Sequence, residues 1–242
     1  MSDELEPAAP VARKVRSIEA AAIAGLIYSV LAIVTIQLLN RSPSLTFDDA
    51  ELTAWYADDS NRAGLILALN LSAVSAISFL WFVAVIRRRI GSREDKFFAT
   101  VFLGASIAFI TAWILAAAAM AAPAVASTVL DAATISPAAI TVSSGMSEAL
   151  LLVVAPRLQA VFVFTTSTIM LRTRALPTWL AYAGYVFGIL LFLTPLITRP
   201  LGLAFPIWVA LVSVELLISR PKGELRIEPL RSGGQGRPTA SG

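Results

Sequence analysis

The sequence predicts an all-α polytopic membrane protein, in which a bundle of six transmembrane helices leaves both termini in the cytoplasm. Three observations predict this fold class. Of the 242 residues, 57% are hydrophobic and only 14% are charged, whereas a soluble domain carries about 25% charged residues. Six apolar runs are each long enough to cross a hydrocarbon layer of about 30 Å. Lysine and arginine are also distributed unevenly between the two predicted sides.

The six predicted spans contain between 19 and 26 residues each, and a helix rises about 1.5 Å per residue. The period-2 alternation that a membrane β-barrel requires is absent. The first run is too long for the apolar region of a secretory signal, and no small-residue cleavage site follows it. The predicted spans are residues 20–39, 63–86, 97–122, 149–171, 177–198 and 201–219.

The basic residues orient the bundle, because cytoplasmic loops carry an excess of lysine and arginine. With the N-terminus inside, only Arg41, Arg62 and Arg199 lie outside, and Arg157 falls within a span. The other 15 basic residues lie inside: Arg13, Lys14, Arg16, Arg87, Arg88, Arg89, Arg93, Lys96, Arg172, Arg174, Arg220, Lys222, Arg226, Arg231 and Arg237. The net charge of +3 follows from this bias and predicts no nucleic-acid partner.

Three regions are predicted along the chain. Residues 1–16 lack apolar periodicity and form a disordered cytoplasmic N-terminus. Residues 17–219 form the transmembrane domain. Residues 220–242 are rich in proline, glycine and serine, and form a flexible basic cytoplasmic tail.

The outer loop 41–62 combines aromatic and acidic residues. Phe47, Leu52, Trp55 and Tyr56 fall near helical spacing, which predicts a short helix at the outer interface. Its carboxylates either form a solvated acidic cap, which we favour, or bind Ca²⁺ or a cationic substrate through oxygen ligands. The candidate residues of this acidic loop are Asp48, Asp49, Glu51, Asp58 and Asp59. The second outer loop, 123–148, predicts a small polar lid or a partial helix.

Small residues recur at helical spacing in four spans, and they allow close approach of helix backbones in lipid. We favour packing within one bundle, and contact with a second copy or a partner protein is the alternative. The positions are Ala21, Gly25 and Ser29; Gly64, Ala68, Ser72 and Ala76; Gly104, Ala108, Ala112 and Ala116; Gly184 and Gly188. Pro156, Pro195 and Pro206 predict bends or breaks in the last three spans.

Ionisable residues inside a span indicate a functional site by default. Arg157 lies fifteen residues before Arg172, so about 22 Å above the inner boundary, whereas Glu215 lies about 7.5 Å from it. A direct ion pair is therefore not expected. Gln159, Asn70 and Glu148 are candidate partners of Arg157, and the run Thr165, Thr166, Ser167 and Thr168 lies at the depth of Glu215. The alternative is an arginine that snorkels outward and a glutamate paired at the inner interface.

Several classes of function are excluded by missing residue types. The chain has no histidine and no cysteine, so imidazole and thiolate metal sites, disulfides and Ser-His or Cys-His nucleophiles are impossible. No glycine-rich phosphate loop occurs, and no span contains the aspartates of a membrane aspartyl protease. We therefore expect no enzyme, no cofactor and no metal.

Four segments carry a resemblance: DDAELTAWYADDSNRAGLILALNLS (48–72), FLWFVAVIRRRIGSREDKFFATVFLGAS (79–106), LQAVFVFTTSTIMLRTRALPTWLAYAGYVFGILL (158–191) and FPIWVALVSVELLI (205–218). Together they resemble a family of uncharacterised six-helix integral membrane proteins of actinobacteria. The resemblance implies a bacterial plasma membrane and marks the inner loop from Arg87 to Lys96 as a segment to test. It implies no activity.

The sequence therefore favours a non-enzymatic accessory or structural subunit that binds membrane lipids or a protein partner, including a second copy of the chain. The alternative is a small-solute transporter or permease that uses Arg157 and Glu215. A cavity at which Arg157, Asn70 and Gln159 converge would favour transport. A closed bundle packed through small residues would favour the accessory role.

Overall fold

In the computed structural model, all regular secondary structure of the described residues is helical. The described residues are 9–43, 46–90, 96–130, 135–173, 177–193 and 202–218. A π-helical turn, Leu150–Val154, joins two of the helices without a break. The helices are α1 Ala9–Leu39, α2 Asp49–Ala57, α3 Asp59–Ile90, α4 Lys96–Ala126, α5 Pro137–Ala149, α6 Ala155–Thr173, α7 Thr178–Leu193 and α8 Ala204–Ile218.

Four helical segments are long and apolar enough to cross a membrane: Ala22–Leu39, Asp59–Ala84, Phe97–Ala126 and Pro137–Arg172. They cover the first four predicted spans except for two residues at the start of the first and two at the end of the second. Helices α7 and α8 are apolar but have only 16 and 15 residues, and parts of the predicted spans 177–198 and 201–219 lie outside the described residues. The all-helical fold is therefore confirmed, and four of its helical segments are long and apolar enough to span a membrane.

Helix α1 is longer than its predicted span. It begins at Ala9, so residues 9–16, for which the sequence predicts disorder, form its first turns. Pro10 occupies the first turn, where a missing N–H costs no intrahelical bond. Alanine, lysine and arginine, which are good helix formers, extend the helix from there to the apolar run. Residues 1–8 and the tail 220–242 lie outside the described residues.

The outer loop 123–148 is mostly helical. Helix α4 continues past Pro123 to Ala126, and α5 begins at Pro137, which stands in the first turn of that helix. Because α5 runs through the π-helical turn into α6, the fourth predicted span is the second part of a segment of 36 residues. At 1.5 Å per residue this segment is about 54 Å long, well beyond the thickness of a hydrocarbon layer.

The long helices pack side by side. Helix α3 lies against α1 and α4; α8 packs on α1, and α6 packs on α4 and α7. We call the end of the bundle where α1 and α4 finish and α2 lies the α2 end, and the opposite end the basic end. At the basic end the guanidinium of Arg172 lies 4.6 Å from the centre of the Phe98 ring, a cation–π contact.

An aromatic cluster fills the middle of the bundle. Phe79 of α3 is fully buried, and its ring centre lies 4.8 Å from that of Tyr28, 5.1 Å from Phe162 and 5.4 Å from Phe109. These contacts join α1, α3, α4 and α6, and Phe205 brings in α8. The cluster comprises Tyr28, Phe79, Phe82, Phe102, Phe109, Trp113, Phe162, Phe205 and Trp208.

Glycines from the predicted small-residue stripes lie at helix contacts. A side chain at Gly25 would collide with Ser213 of α8 and Phe82 of α3. Gly184 faces Ser167 of α6. Gly188 of α7 faces the ring of Phe164, which is also on α6. Ala68, Ser72 and Ala76 of α3 are buried. Intramolecular packing therefore uses these positions, and the alternative of a partner through such a stripe remains a prediction for Gly104, which is exposed.

The three prolines of the last spans have different surroundings. Pro156 lies two residues after the end of the π-helical turn, in the first turn of α6, and leaves the helix continuous. Pro206 is in the first turn of α8, where it breaks no hydrogen bond and requires no bend. Pro195 lies outside the described residues.

Candidate functional site

A cavity lies inside the bundle at the α2 end. It contains about 50 Å³ of space that the centre of a water molecule can occupy, and one water requires about 10–15 Å³ by that measure. Its lining comes from α1, α4, the α5–α6 segment, α7 and the start of α8. The cavity extends from Asn40 and Glu148 near the helix ends down to Tyr28 and Trp113.

The floor of the cavity is part of the aromatic cluster. Tyr28 and Trp113 line the cavity and are both buried. The Trp113 indole N–H donates to the hydroxyl of Ser75 on α3, at 3.1 Å, which fixes the ring between α3 and α4. Below this floor lie Phe79 and Phe109, so aromatic rings separate the cavity from the basic end.

The π-helical turn forms one wall. The N–H of Ala155 donates to the carbonyl of Leu150, five residues earlier. Because Pro156 has no N–H, a carbonyl in the preceding turn loses its backbone donor. Counted four or five residues back, that carbonyl belongs to Leu152 or Leu151, and both line the cavity. Leu151 and Leu152 thus give the cavity an apolar wall at the π-helical turn, a feature that is frequent at functional sites.

Among the described lining residues, the polar side chains other than the rings of the floor are Asn40, Glu148 and Gln159. The others are mainly aliphatic or aromatic. Gln159 is the one member of the predicted polar site that lines the cavity. Asn40 and Glu148 lie in the upper part of the pocket, whereas Gln159 follows Glu148 by eleven residues and so lies about 16 Å deeper, in the mainly apolar body.

Arg157 does not line the cavity. Its guanidinium donates to the carbonyl of Val153, at 2.7 Å, one turn toward the α2 end. This geometry is that of an arginine whose stem runs along its own helix toward the interface, the snorkelling alternative of the sequence analysis.

The other two predicted members also lie apart from the cavity. Asn70 is exposed on α3, and its amide donates to the Ile66 carbonyl of the same helix at 2.8 Å. Glu215 is half-buried on α8. Arg157, Asn70 and Glu215 therefore do not converge with Gln159 on the cavity.

The threonines expected near Glu215 form hydrogen bonds within α6. The hydroxyls of Thr165, Thr166 and Thr168 each donate to the carbonyl four residues earlier. The Thr168 hydroxyl also lies 2.7 Å from that of Tyr185 on α7. Ser167 instead packs against Gly184 and has no hydrogen-bond partner among the described residues.

The acidic outer loop contains the predicted short helix, α2, with Leu52 and Tyr56 buried beneath it. Its carboxylates hold helix ends. The Asp48 side chain accepts from the N–H of Glu51, and the Glu51 side chain accepts from the N–H of Asp48, which forms a capping box. Asp59 pairs with Arg62 at the start of α3.

Asp58 lies between α2 and α3. Hydrogen bonds from the side chain and the N–H of Ser60 lower the pKa of the Asp58 carboxyl. Asp49 is exposed in the first turn of α2, where a negative charge interacts favourably with the helix dipole. No cluster of three or more acidic residues suited to a metal ion occurs in the described ranges. The favoured interpretation, an acidic cap, accounts for this arrangement.

Several hydroxyls are buried at the α2 end without a hydrogen-bond partner among the described residues: Ser42, Tyr56, Ser144 and Ser147. A buried polar group of this kind is normally satisfied by ordered water or a ligand. Ser147 directly precedes Glu148 of the cavity lining. Burial also raises the pKa of the Tyr56 phenol to about 12.

No family model, curated protein or solved structure matches this chain.

The arrangement of the cavity itself can hold a small amphipathic molecule, with polar groups at Asn40, Glu148 and Gln159 and an apolar body on Tyr28 and Trp113. Sequence reasoning named Gln159 and, as a partner of Arg157, Glu148. It missed Asn40 and the aromatic floor. Pro156 was the one available signal, because a proline within a span predicts a local change of helix geometry.

Proposed function

We propose that the protein is a six-helix integral membrane protein of the bacterial cytoplasmic membrane, with both termini in the cytoplasm. The four long apolar helices and the concentration of basic residues at one predicted side support this proposal. Helices α7 and α8 then complete the six crossings, and the α2 end faces outward. The resemblance to the actinobacterial family agrees with this assignment.

Its role, in our proposal, is that of a non-enzymatic accessory subunit that binds a membrane lipid. The observation that carries this proposal is the cavity at the α2 end. A pocket of this size admits one segment of a lipid, whose acyl carbons can lie on Leu151, Leu152 and Trp113 while polar atoms meet Glu148 and Asn40 in its upper part. The aromatic cluster beneath closes the pocket, which favours retention of a ligand.

The test is purification in mild detergent, followed by extraction and mass spectrometry of the lipids that stay bound. Ala155 lines the cavity and is buried, so Ala155→Phe fills the space. Ala183 is exposed on α7, so Ala183→Phe is the matched control. We expect wild type and Ala183→Phe to retain the same lipid and Ala155→Phe to lose it, with melting temperature reported for all three.

Equal lipid retention by all three proteins would contradict the lipid-binding role. Asn40→Leu provides a second variant in case Ala155→Phe does not fold. It removes a polar group that meets the lipid in this proposal, so we expect it to lower the amount of bound lipid while the bundle stays intact. Unchanged binding in Asn40→Leu would count equally against the role.

A second candidate function is transport of a small solute. One observation favours it: the cavity carries Gln159 and Glu148 and extends to Tyr28, about eleven residues below the end of α1. Uptake of labelled solutes into proteoliposomes tests this candidate. Uptake that Arg157→Ala and Ala155→Phe both abolish supports it. If an Arg157→Ala variant keeps its folding, its thermostability and every transport signal, Arg157 has no role in transport.

A further inference from the structure

Asn70 is a carboxamide on the outward face of α3. It lies eight residues after Arg62, so about 12 Å along the helix from the α2 end. Four large apolar residues share its face at spacings of three and four residues, and each is between 49% and 65% exposed: Leu67, Val74, Ile77 and Trp81. In a membrane this face lies against hydrocarbon, so Asn70 interrupts an apolar surface at a depth that water does not reach.

The Asn70 side chain is only partly satisfied by its own helix. One N–H donates to the Ile66 carbonyl at 2.8 Å. A carboxamide has a second N–H and an acceptor oxygen, and unsatisfied polar groups are costly in hydrocarbon. Thr111 on the outward face of α4 provides a contrast, because its single hydroxyl proton is used by the Ile107 carbonyl at 2.9 Å. A hydroxyl can thus be accommodated within a helix, whereas the amide needs a partner from outside.

We propose that the α3 face, defined as Leu67, Asn70, Val74, Ile77 and Trp81, is the contact surface between two copies of this chain. Two copies inserted in the same orientation are related by a two-fold axis along the membrane normal. Such an axis places identical residues at identical depth, so Asn70 meets Asn70. A carboxamide is both donor and acceptor, so each satisfies the other.

The spacing of the face supports helix–helix contact. Residues that alternate at three and four positions form the seam of a left-handed helix pair, and a single asparagine in such a seam fixes register. A lipid headgroup does not extend to the depth of Asn70. A different protein would need its own polar group at that depth, whereas a second copy provides one by symmetry. This inference goes beyond the proposed lipid binding and does not depend on the cavity.

Disulfide cross-linking in membranes tests the proposal, because the chain has no cysteine of its own. Val74→Cys places one thiol on the α3 face next to Asn70. Ile107→Cys places one on the outward face of α4, where Ile107 is similarly exposed. We expect copper-phenanthroline oxidation of membranes to convert Val74→Cys to a covalent dimer and to leave Ile107→Cys monomeric.

The amide is tested in the Val74→Cys background. Asn70→Leu should weaken association about 3–30-fold, the range for one to two interhelical hydrogen-bond energies in lipid, and so reduce the cross-linked fraction. Asn70→Gln keeps donor and acceptor and should retain it. Cross-linking of Val74→Cys no greater than that of Ile107→Cys overturns the dimer. Cross-linking that Asn70→Leu leaves unchanged overturns the role of the amide.

Discussion

Gly25 lies where α1 meets α8 and α3, and it has no room for a side chain. A Cβ atom at this position would collide with the Ser213 hydroxyl and would lie 2.7 and 2.9 Å from two carbons of the Phe82 ring. The Phe82 ring is fully buried and contacts Phe79 at 6.1 Å between ring centres. Neither neighbour can retreat freely, so Gly25→Ala should force α1 away from the bundle.

The expected cost follows from two opposing effects. Overpacking a close contact costs about 1–3 kcal/mol, and two simultaneous collisions place Gly25→Ala in the upper part of that range. Alanine is the better helix former by at most about 1 kcal/mol. We therefore expect the free energy of unfolding to fall by about 1–2 kcal/mol. Titration of purified protein in mixed micelles with a denaturing detergent, followed by circular dichroism, measures it.

The chain supplies matched controls for this substitution. Nothing lies within 4 Å of a Cβ added at Gly64 or Gly104, so alanine there should leave stability unchanged or raise it slightly. Combining Gly25→Ala with Ser213→Ala removes one of the two collisions and should recover part of the loss. If Gly25→Ala is as stable as Gly104→Ala, the packing of α1 against α8 and α3 is not as described, and the reasoning fails.

Three further predictions concern the α2 end. Asp48→Ala should destabilise α2 by about 1 kcal/mol through loss of the capping box, seen as faster hydrogen exchange of α2 amides, whereas Asp49→Ala should have a smaller effect; equal effects would contradict the cap. Burial raises the pKa of the Tyr56 phenol from 10 to about 12 in the folded protein. The phenol therefore keeps its proton more strongly in the folded state than in the unfolded state. The stability that depends on the protonated phenol is complete below pH 10 and is lost as the pH rises from about 10 to about 12. Tyr56→Phe should remove that alkaline loss, and identical alkaline profiles would contradict it. Calcium chloride should leave the melting temperature unchanged, because the acidic residues hold helix ends, and a calcium-dependent rise would restore the cation-site alternative.

The helices were predictable where one physical rule governs them. Runs of about 20 apolar residues must form helices in hydrocarbon because each backbone N–H needs a partner, and this rule located α1, α3, α4 and α6. The short α2 followed from the spacing of Leu52, Trp55 and Tyr56. The extension of α1 to Ala9 was not predicted, and a partial helix was only one of two expectations for residues 123–148, because helices continue past apolar runs into polar residues of adequate propensity.

The candidate site was less predictable. A π-helical turn adds one residue to a turn, a change that apolar periodicity does not register, so the wall at Leu151 and Leu152 was not foreseen. The depth of Arg157 along its helix was calculable, but the direction of its side chain was not. Which face of each helix is inward also depends on all the helices packed around it, so the meeting of Asn40, Glu148 and Gln159 is a tertiary property.

The most direct test of the account is the labelling of three single-cysteine variants in intact cells with a membrane-impermeant maleimide. Thr53→Cys reports on α2, which is exposed at that residue; Thr198→Cys reports on the link between α7 and α8; Ser241→Cys reports on the tail. If the chain crosses the membrane six times with both termini inside, Thr53→Cys and Thr198→Cys are labelled at once, and Ser241→Cys is labelled only after the membrane is permeabilised. Protection of Thr198→Cys, or labelling of Ser241→Cys in intact cells, would contradict six crossings with both termini in the cytoplasm.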